Sequence, residues 1–413
     1  MSEKNIFLPE LLAPVGDFDR LYAAVRFGAD AVYLGADAFG MRSAAASFGG
    51  EKLAQAVEYA HANGAKVYLT CNTLPRNEEF KALPDFLCRV RDAGVDALIV
   101  TDLGVMGFVK KFCPDTDIHI STQAGIVNYA SANAFYEMGA KRVVLARELS
   151  IEEVAEIRAK IPRELEIECF VHGAMCVSFS GRCLLSNYLA ARDANRGECA
   201  QPCRWKYSLV EHERPGQQFD ISQDETGGTY IMNSKDMCLI EHIPQLVKAG
   251  ISSFKIEGRA KGEYYVAVVT NAYRAAIDGY GLSGSADYVP EQWIIDEMKK
   301  VSSREYCTGF YFDKPENTAH ITYEGGYIRP WEVSASVDGC RDGRIFCTQR
   351  NRFFTGEQLE VLQPGKKPFT ITAGERIDRD GVVCASANIA MMQVSIPREY
   401  DIEQGSYLRK RRQ

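Results

Sequence analysis

The sequence predicts an α/β fold, a (β/α)8 barrel of the TIM type with a Cys-rich insertion after its seventh strand, followed by a small β-barrel domain. Three observations carry this. Five times a helical pattern ends at glycine and a short β-branched run follows within four residues; roughly sixty-five residues separate the seventh strand from the next helix, far beyond an ordinary βα loop; and from about Tyr327 short alternating segments are divided by Asp-Gly and Pro-Gly turns. At 413 residues the chain has room for one large and one small domain.

The glycine punctuation falls at Gly28, Gly64, Gly94, Gly139 and Gly250, before runs such as Ala31-Val32-Tyr33-Leu34 and Ser253-Phe254-Lys255-Ile256. Apolar runs of this length read as strands buried on both faces. Strands are expected near 10–14, 31–35, 66–71, 97–101, 117–122, 142–146, 166–171 and 253–257, with helices such as Glu51 to His61, Ile151 to Ile161, Leu239 to Lys248 and Tyr264 to Ile277. Residues 1–280 then form the barrel, with the insertion at 174–238. A linker and a helix from Pro290 to Val301 occupy 281–327, and the β domain occupies 328–413. Active sites of such barrels lie at the C-terminal ends of the strands, so the insertion leaves at the mouth.

The chain is 46% apolar and 25% charged, an ordinary globular balance. No apolar run is long enough for a signal peptide or membrane span, so a cytoplasmic protein without membrane contact is expected. The net charge of −7 offers no global attraction for nucleic acid, yet residues 328–413 carry 14 Lys+Arg against 11 Asp+Glu. The run Arg409-Lys410-Arg411-Arg412 reads as a solvated terminus first and as a phosphate contact second.

Thirteen cysteines in a reducing compartment point to buried thiols plus a metal or redox site rather than to disulfides. Cys176, Cys183, Cys199 and Cys203 lie in the insertion and Cys238 closes it. Their spacing lacks the paired Cys-x2-Cys knuckles of zinc ribbons and the Cys-x3-Cys-x2-Cys of radical enzymes that cleave S-adenosylmethionine. An Fe–S cluster held by thiolates suits the irregular spacing best, with zinc or plain buried thiols as alternatives.

The stretch Glu168-x-Phe170-x2-Gly173-Ala174-Met175-Cys176-x4-Gly181-x-Cys183-x-Leu185-Ser186 resembles the signature of the collagenase-like peptidase family of unassigned catalytic type. Glu10 to Gly16, Arg192 to Arg204, Asn233 to Cys238 and Lys255 to Arg259 extend the resemblance. That family includes prephenate-dependent tRNA wobble-uridine hydroxylases and anaerobic hydroxylases of the ubiquinone ring. The resemblance implies a [4Fe-4S] cluster on Cys176, Cys183, Cys199 and Cys238, with Cys203 a possible substitute. It also implies 5-hydroxyuridine formation in a tRNA anticodon loop without O2, with prephenate, a small dicarboxylate, as co-substrate. Peptidase activity, or hydroxylation of a small aromatic such as a quinone precursor, is the rival.

Barrel logic nominates polar residues at strand ends. Glu168, His172, Arg147 and Glu257 are candidates for catalysis; Arg42, Asn72, Asp102, Gln123 and Arg259 are candidates for binding substrate, the arginines by clamping a dicarboxylate. Glu148 belongs to the same set, and mutual salt bridges explain its charged members equally well. For hydrolysis no Gly-x-Ser-x-Gly elbow or His-Glu-x-x-His helix is present, and Ser180 lacks an evident base.

Overall fold

The computed structural model describes residues 7–41, 48–176, 183–194, 198–205, 235–312, 327–384, 389 and 391–412. Strands β1 (Glu10–Pro14), β2 (Ala31–Gly35), β3 (Lys66–Cys71), β4 (Ala97–Val100), β5 (Asp117–Ile120), β6 (Arg142–Val144) and β7 (Glu166–Ala174) run parallel in sequence order. A further strand, β8 (Asp236–Cys238), precedes β9 (Ser253–Ile256), which pairs with both β1 and β7 and closes an eight-stranded parallel barrel. Every expected barrel strand is present, because runs such as Ala97–Val100 are buried throughout and only a sheet covered on both faces accepts them. Among the described residues no helix is long and apolar enough to cross a membrane.

The departures cluster around the insertion. β7 runs on to Ala174, and β8 lies antiparallel against this extension, with His172 opposite Cys238 and Ala174 opposite Asp236. β10 (Tyr306–Cys307), inside the expected linker, pairs with β8 in turn. Gly173 makes the extension possible: its φ is +111°, and a Cβ there would lie 2.6 Å from the Glu257 carbonyl oxygen. The helix expected from Leu239 begins with a 3-10 turn at Ile240–His242, because Pro244 confines the α-helix to Ile243–Lys248. The helix Glu263–Ser283 outruns its expected end. Gly279 inside it permits close packing instead of ending the helix, since a Cβ would meet the Tyr288 hydroxyl at 2.2 Å. The expected helix from Pro290 to Val301 is shorter, Gln292–Glu297 followed by a 3-10 turn.

The C-terminal domain is a seven-stranded antiparallel sheet with its own core, which includes Val337, Ile345, Cys347, Val361 and Leu408. Its strands are β11 (Trp331–Arg341), β12 (Arg344–Gln349), β13 (Gln358–Leu362), β14 (Phe369–Thr372), β15 (Ile377–Asp378), β16 (Gln393–Pro397) and β17 (Tyr407–Arg411), ordered β14-β13-β17-β11-β12-β16-β15. No hydrogen bonds join β14 to β15 among the described residues.

The basic C-terminal run is solvated only at its end, where Arg411 and Arg412 are exposed. It forms β17, and Arg409 is fully buried where the two domains meet, its Nη2 donating to Glu297 Oε1 at 2.6 Å and Glu360 Oε1 at 2.5 Å. Lys300 Nζ joins the same two carboxylates. Removing one member of a buried ion cluster leaves charge uncompensated, so Arg409→Leu should lower unfolding free energy by about 3 kcal/mol in urea titrations. Arg412→Ala, at the exposed end of the run, should leave it unchanged.

Candidate active site at the barrel mouth

Alternation along β6, β7 and β9 aims charges into the barrel lumen. Arg142 Nη1 donates to Glu10 Oε1 at 2.6 Å and to Glu168 Oε2 at 3.1 Å, while its Nε and Nη2 hold Glu166 Oε2. Lys255 Nζ donates to the other Glu168 oxygen at 2.5 Å. Tyr68 and Ser253 hydroxyls donate to Glu10. Burial works to raise the Glu10 carboxyl, but the Arg142 charge and hydrogen bonds outweigh it and hold Glu10 below the usual range. Burial also depresses the Lys255 ammonium, against the pull of Glu168. Glu168 is fully buried with both oxygens engaged by cations, so in this structure it is the anchor of the lumen and not an acid facing substrate.

Above this layer lies the mouth. Arg147, just beyond β6, stacks its guanidinium 3.8 Å from the Phe170 ring centroid and donates through Nη1 to Ala174 O at 2.6 Å. Lys255 Nζ lies 4.5 Å from the Tyr33 ring and 5.4 Å from Phe170. Arg259 donates to Thr70 Oγ1 at 3.0 Å and to Met41 O, with its guanidinium 5.8 Å from Tyr33. The floor is therefore two buried aromatic rings covered by three cations. Guanidinium groups so placed have the chemistry to meet carboxylates. The Arg147 Nε is buried with no hydrogen-bond partner among the described residues.

The neutral candidates line the rim. Thr101 Oγ1 donates to Asn72 O and Gln123 Oε1, and Asn72 Oδ1 accepts from Met41 N at 3.1 Å. Asp102 has a structural duty, because its Oδ1 caps the helix Leu103–Phe112 by accepting from Val105 N at 3.0 Å. Arg42 and Ser180 lie outside the described residues.

Two nominated residues face away from the lumen or form its wall. His172 is fully buried among Tyr265, Tyr273 and Tyr306, both ring nitrogens unpartnered among the described residues, and burial lowers it to about 4. It therefore packs behind the barrel wall. Glu257 follows β9, its backbone pressed against Gly173 and its carbonyl accepting from the Tyr265 hydroxyl at 2.9 Å. Glu148, also nominated, is raised by burial and has an unpartnered buried oxygen.

The cysteines form a different picture from the mouth. Cys183 precedes a short helix, Leu185–Ala190, and Ser186 Oγ in that helix accepts from Ala200 N, which draws Cys199 toward it. Cys176 and Cys199 are exposed, whereas Cys238 is half-buried with its sulfur 4.0 Å from the Tyr273 hydroxyl. All are free thiols, the right donors for Fe–S or zinc, but among the described residues no three metal-binding side chains converge. In this arrangement the thiols do not frame a cluster. Cys307, one strand over from Cys238, is a thiol that spacing arguments missed.

Residues 16–321 match the profile of Peptidase family U32, and residues 329–409 match the Peptidase family U32 C-terminal domain. The chain belongs to peptidase family U32. It is 36% identical to the tRNA hydroxylation protein P1 of Bacillus subtilis, over 97% of this chain and 94% of that one. It is 33% identical to the tRNA hydroxylation protein P of Escherichia coli, over 98% and 97%. A Collagenase of Porphyromonas gingivalis is 36% identical over 73% of each chain. This U32 member thus resembles proteins carrying hydroxylation and peptidase names alike.

Sequence reasoning missed Glu10, Arg142, Lys255, Tyr33 and Phe170. A signal was present: a charge inside an otherwise buried strand run, as in Ser253–Ile256, must face partners in the lumen.

Glu168→Leu should cost about 3–5 kcal/mol in urea unfolding by stranding Arg142 and Lys255, and adding Lys255→Met should restore part of it. Simple additivity of the two losses would contradict the coupling. Acid provides a second check. His119 is buried beside Tyr68, and burial, followed by Arg142 and Lys255, holds it well below its usual value. The unfolded imidazole takes a proton near pH 6.5 while the folded one does not, so stability should fall as pH drops below about 6.5. His119→Gln should make that slope shallower in denaturation series at pH 7 and 5, the buried His172 supplying part of what remains.

Proposed function

We propose that this U32 member hydroxylates tRNA, replacing the C5 hydrogen of the wobble uridine by hydroxyl. The observation that carries the reading is likeness over nearly the whole chain to proteins named for tRNA hydroxylation. The mouth supports it chemically. Arg147 and Arg259, laid over Phe170 and Tyr33, offer charge to a dicarboxylate. Replacing C5–H by C5–OH is a two-electron oxidation. By the family resemblance prephenate is the proposed source of the oxygen in place of O2, and the two electrons and the displaced C5 proton pass to an external two-electron acceptor and to solvent. An anticodon-loop base is cheaper to unstack into such a mouth than a duplex base. Binding and orientation are the parts assigned to Arg147 and Arg259, while Glu168 holds Lys255 in place beneath them.

A [4Fe-4S] cluster on Cys176, Cys183, Cys199 and Cys238 is part of the proposal on donor chemistry alone, the four being free cysteines. Peptide hydrolysis has less support: neither nitrogen of the buried His172 bonds a serine or a thiol among the described residues.

Nucleoside analysis of tRNA from cells lacking the protein should show loss of 5-hydroxyuridine derivatives, restored by the wild-type chain. Arg147→Met should lower kcat/KM about 100-fold with little change in Tm. Anaerobically purified protein should hold about four iron per chain, lost in Cys176→Ser/Cys183→Ser. An unaltered nucleoside profile together with peptide cleavage would favour the peptidase.

A further inference from the structure

The C-terminal sheet has a feature that the barrel site does not use. Where β11, β12, β15 and β16 lie side by side, a cleft of about 330 Å³ opens, lined by Arg341, Phe346, Asp338, Asp378, Arg379 and Gln393 among others. Its volume lies within the range of small-ligand sites. Arg341 lays its guanidinium 4.2 Å from the Phe346 ring centroid. Gly339 stands opposite Phe346 in the β11–β12 register, and a Cβ added there would meet nothing within 4 Å. The space at Gly339, beside that ring in the register, is open.

The charges in the cleft are unequally available. Asp338 accepts from Thr348 Oγ1 at 2.7 Å, and Asp378 accepts from Asp380 N and Val382 N, both at 2.9 Å, in the turn that follows it. Those carboxylates are engaged within their own strands and turn. Arg344, next to the cleft, is also committed, to Ser395 and to Glu375 O. Arg341 and Arg379 are exposed, and neither forms an ion pair among the described residues. Two unpaired guanidinium groups in one cleft with a half-buried aromatic ring, one of them laid on that ring, match one ligand chemistry: a stacked base with its flanking phosphates.

We propose that this cleft binds a single-stranded segment of the RNA substrate, one base stacking on Phe346 and Arg341 and its phosphates meeting Arg341 and Arg379. The inference rests on the RNA reading above and adds a second, remote contact to it. The cleft acts on affinity and register, not on the reaction, so the site is independent of Arg147, Phe170 and Lys255. Duplex RNA would not serve, since its bases are already stacked.

The test uses the full chain and an unmodified tRNA transcript, with affinity followed by fluorescence anisotropy from low to moderate salt. Arg341→Ala/Arg379→Ala should weaken binding about tenfold at fixed salt and reduce the slope of log affinity against log salt by about one to two. Phe346→Leu keeps apolar volume and should weaken binding about tenfold without changing that slope. Wild-type affinity and slope in the double arginine variant would overturn the cleft while leaving the RNA reading intact. A wild-type chain that fails to bind the transcript would overturn both. Equal weakening for a fully duplexed RNA of the same length would show a general charge effect and would also overturn the stacked-base site.

Discussion

The barrel depends on one buried ion cluster. Glu168, without access to water, sits between Arg142 and Lys255, while Glu10 and Glu166 hold the other faces of Arg142. Burying that many charges is tolerable only if each finds opposite charge and hydrogen bonds, so the strands contributing them are held in one register. β1, β6, β7 and β9 are locked to one another by it. The cluster also fixes the height of Lys255, whose ammonium reaches from Glu168 toward the rings of Tyr33 and Phe170. The lumen floor and the mouth are therefore one electrostatic structure.

The insertion is built on the same strand. β7 supplies Glu168 to the lumen, Phe170 to the mouth and Gly173 to the close approach of Glu257, before the chain leaves the barrel at Cys176. Its return as β8 against that extension, with β10 beyond, anchors the segment that carries Cys238. Tyr273 ties the arrangement together, donating to Val171 O at 2.8 Å and accepting from Leu239 N at 3.1 Å. The strand that carries Cys238 is thus joined to the barrel mouth by backbone pairing.

Some residues changed meaning between sequence and structure for identifiable reasons. Asp102 has the residue type of a ligand-binding group, but it precedes a helix whose free N–H groups need an acceptor. Glu168 has the residue type of a general acid, but its side chain falls on the lumen face two positions below the mouth. His172 is next to the thiols in sequence, but the strand extension turns it into the aromatic layer with Tyr265, Tyr273 and Tyr306. Arg147, Arg259, Asn72 and Gln123 lie one to three residues beyond the ends of β6, β9, β3 and β5, where the position in sequence sets the height in the barrel.

The sequence by itself determined the eight barrel strands, the long excursion after the seventh and the all-β C-terminal domain. These are local properties: burial on two faces, glycine caps and turn pairs leave periodic marks along the chain. Only the tertiary structure decided that Glu168 anchors instead of facing substrate, that the basic C-terminal run buries Arg409 between domains, and that three residues at Asp236–Cys238 form a strand on β7. Each of those depends on charges or backbone groups brought together from distant segments, and the free energy of pairing them exists only after the barrel has closed.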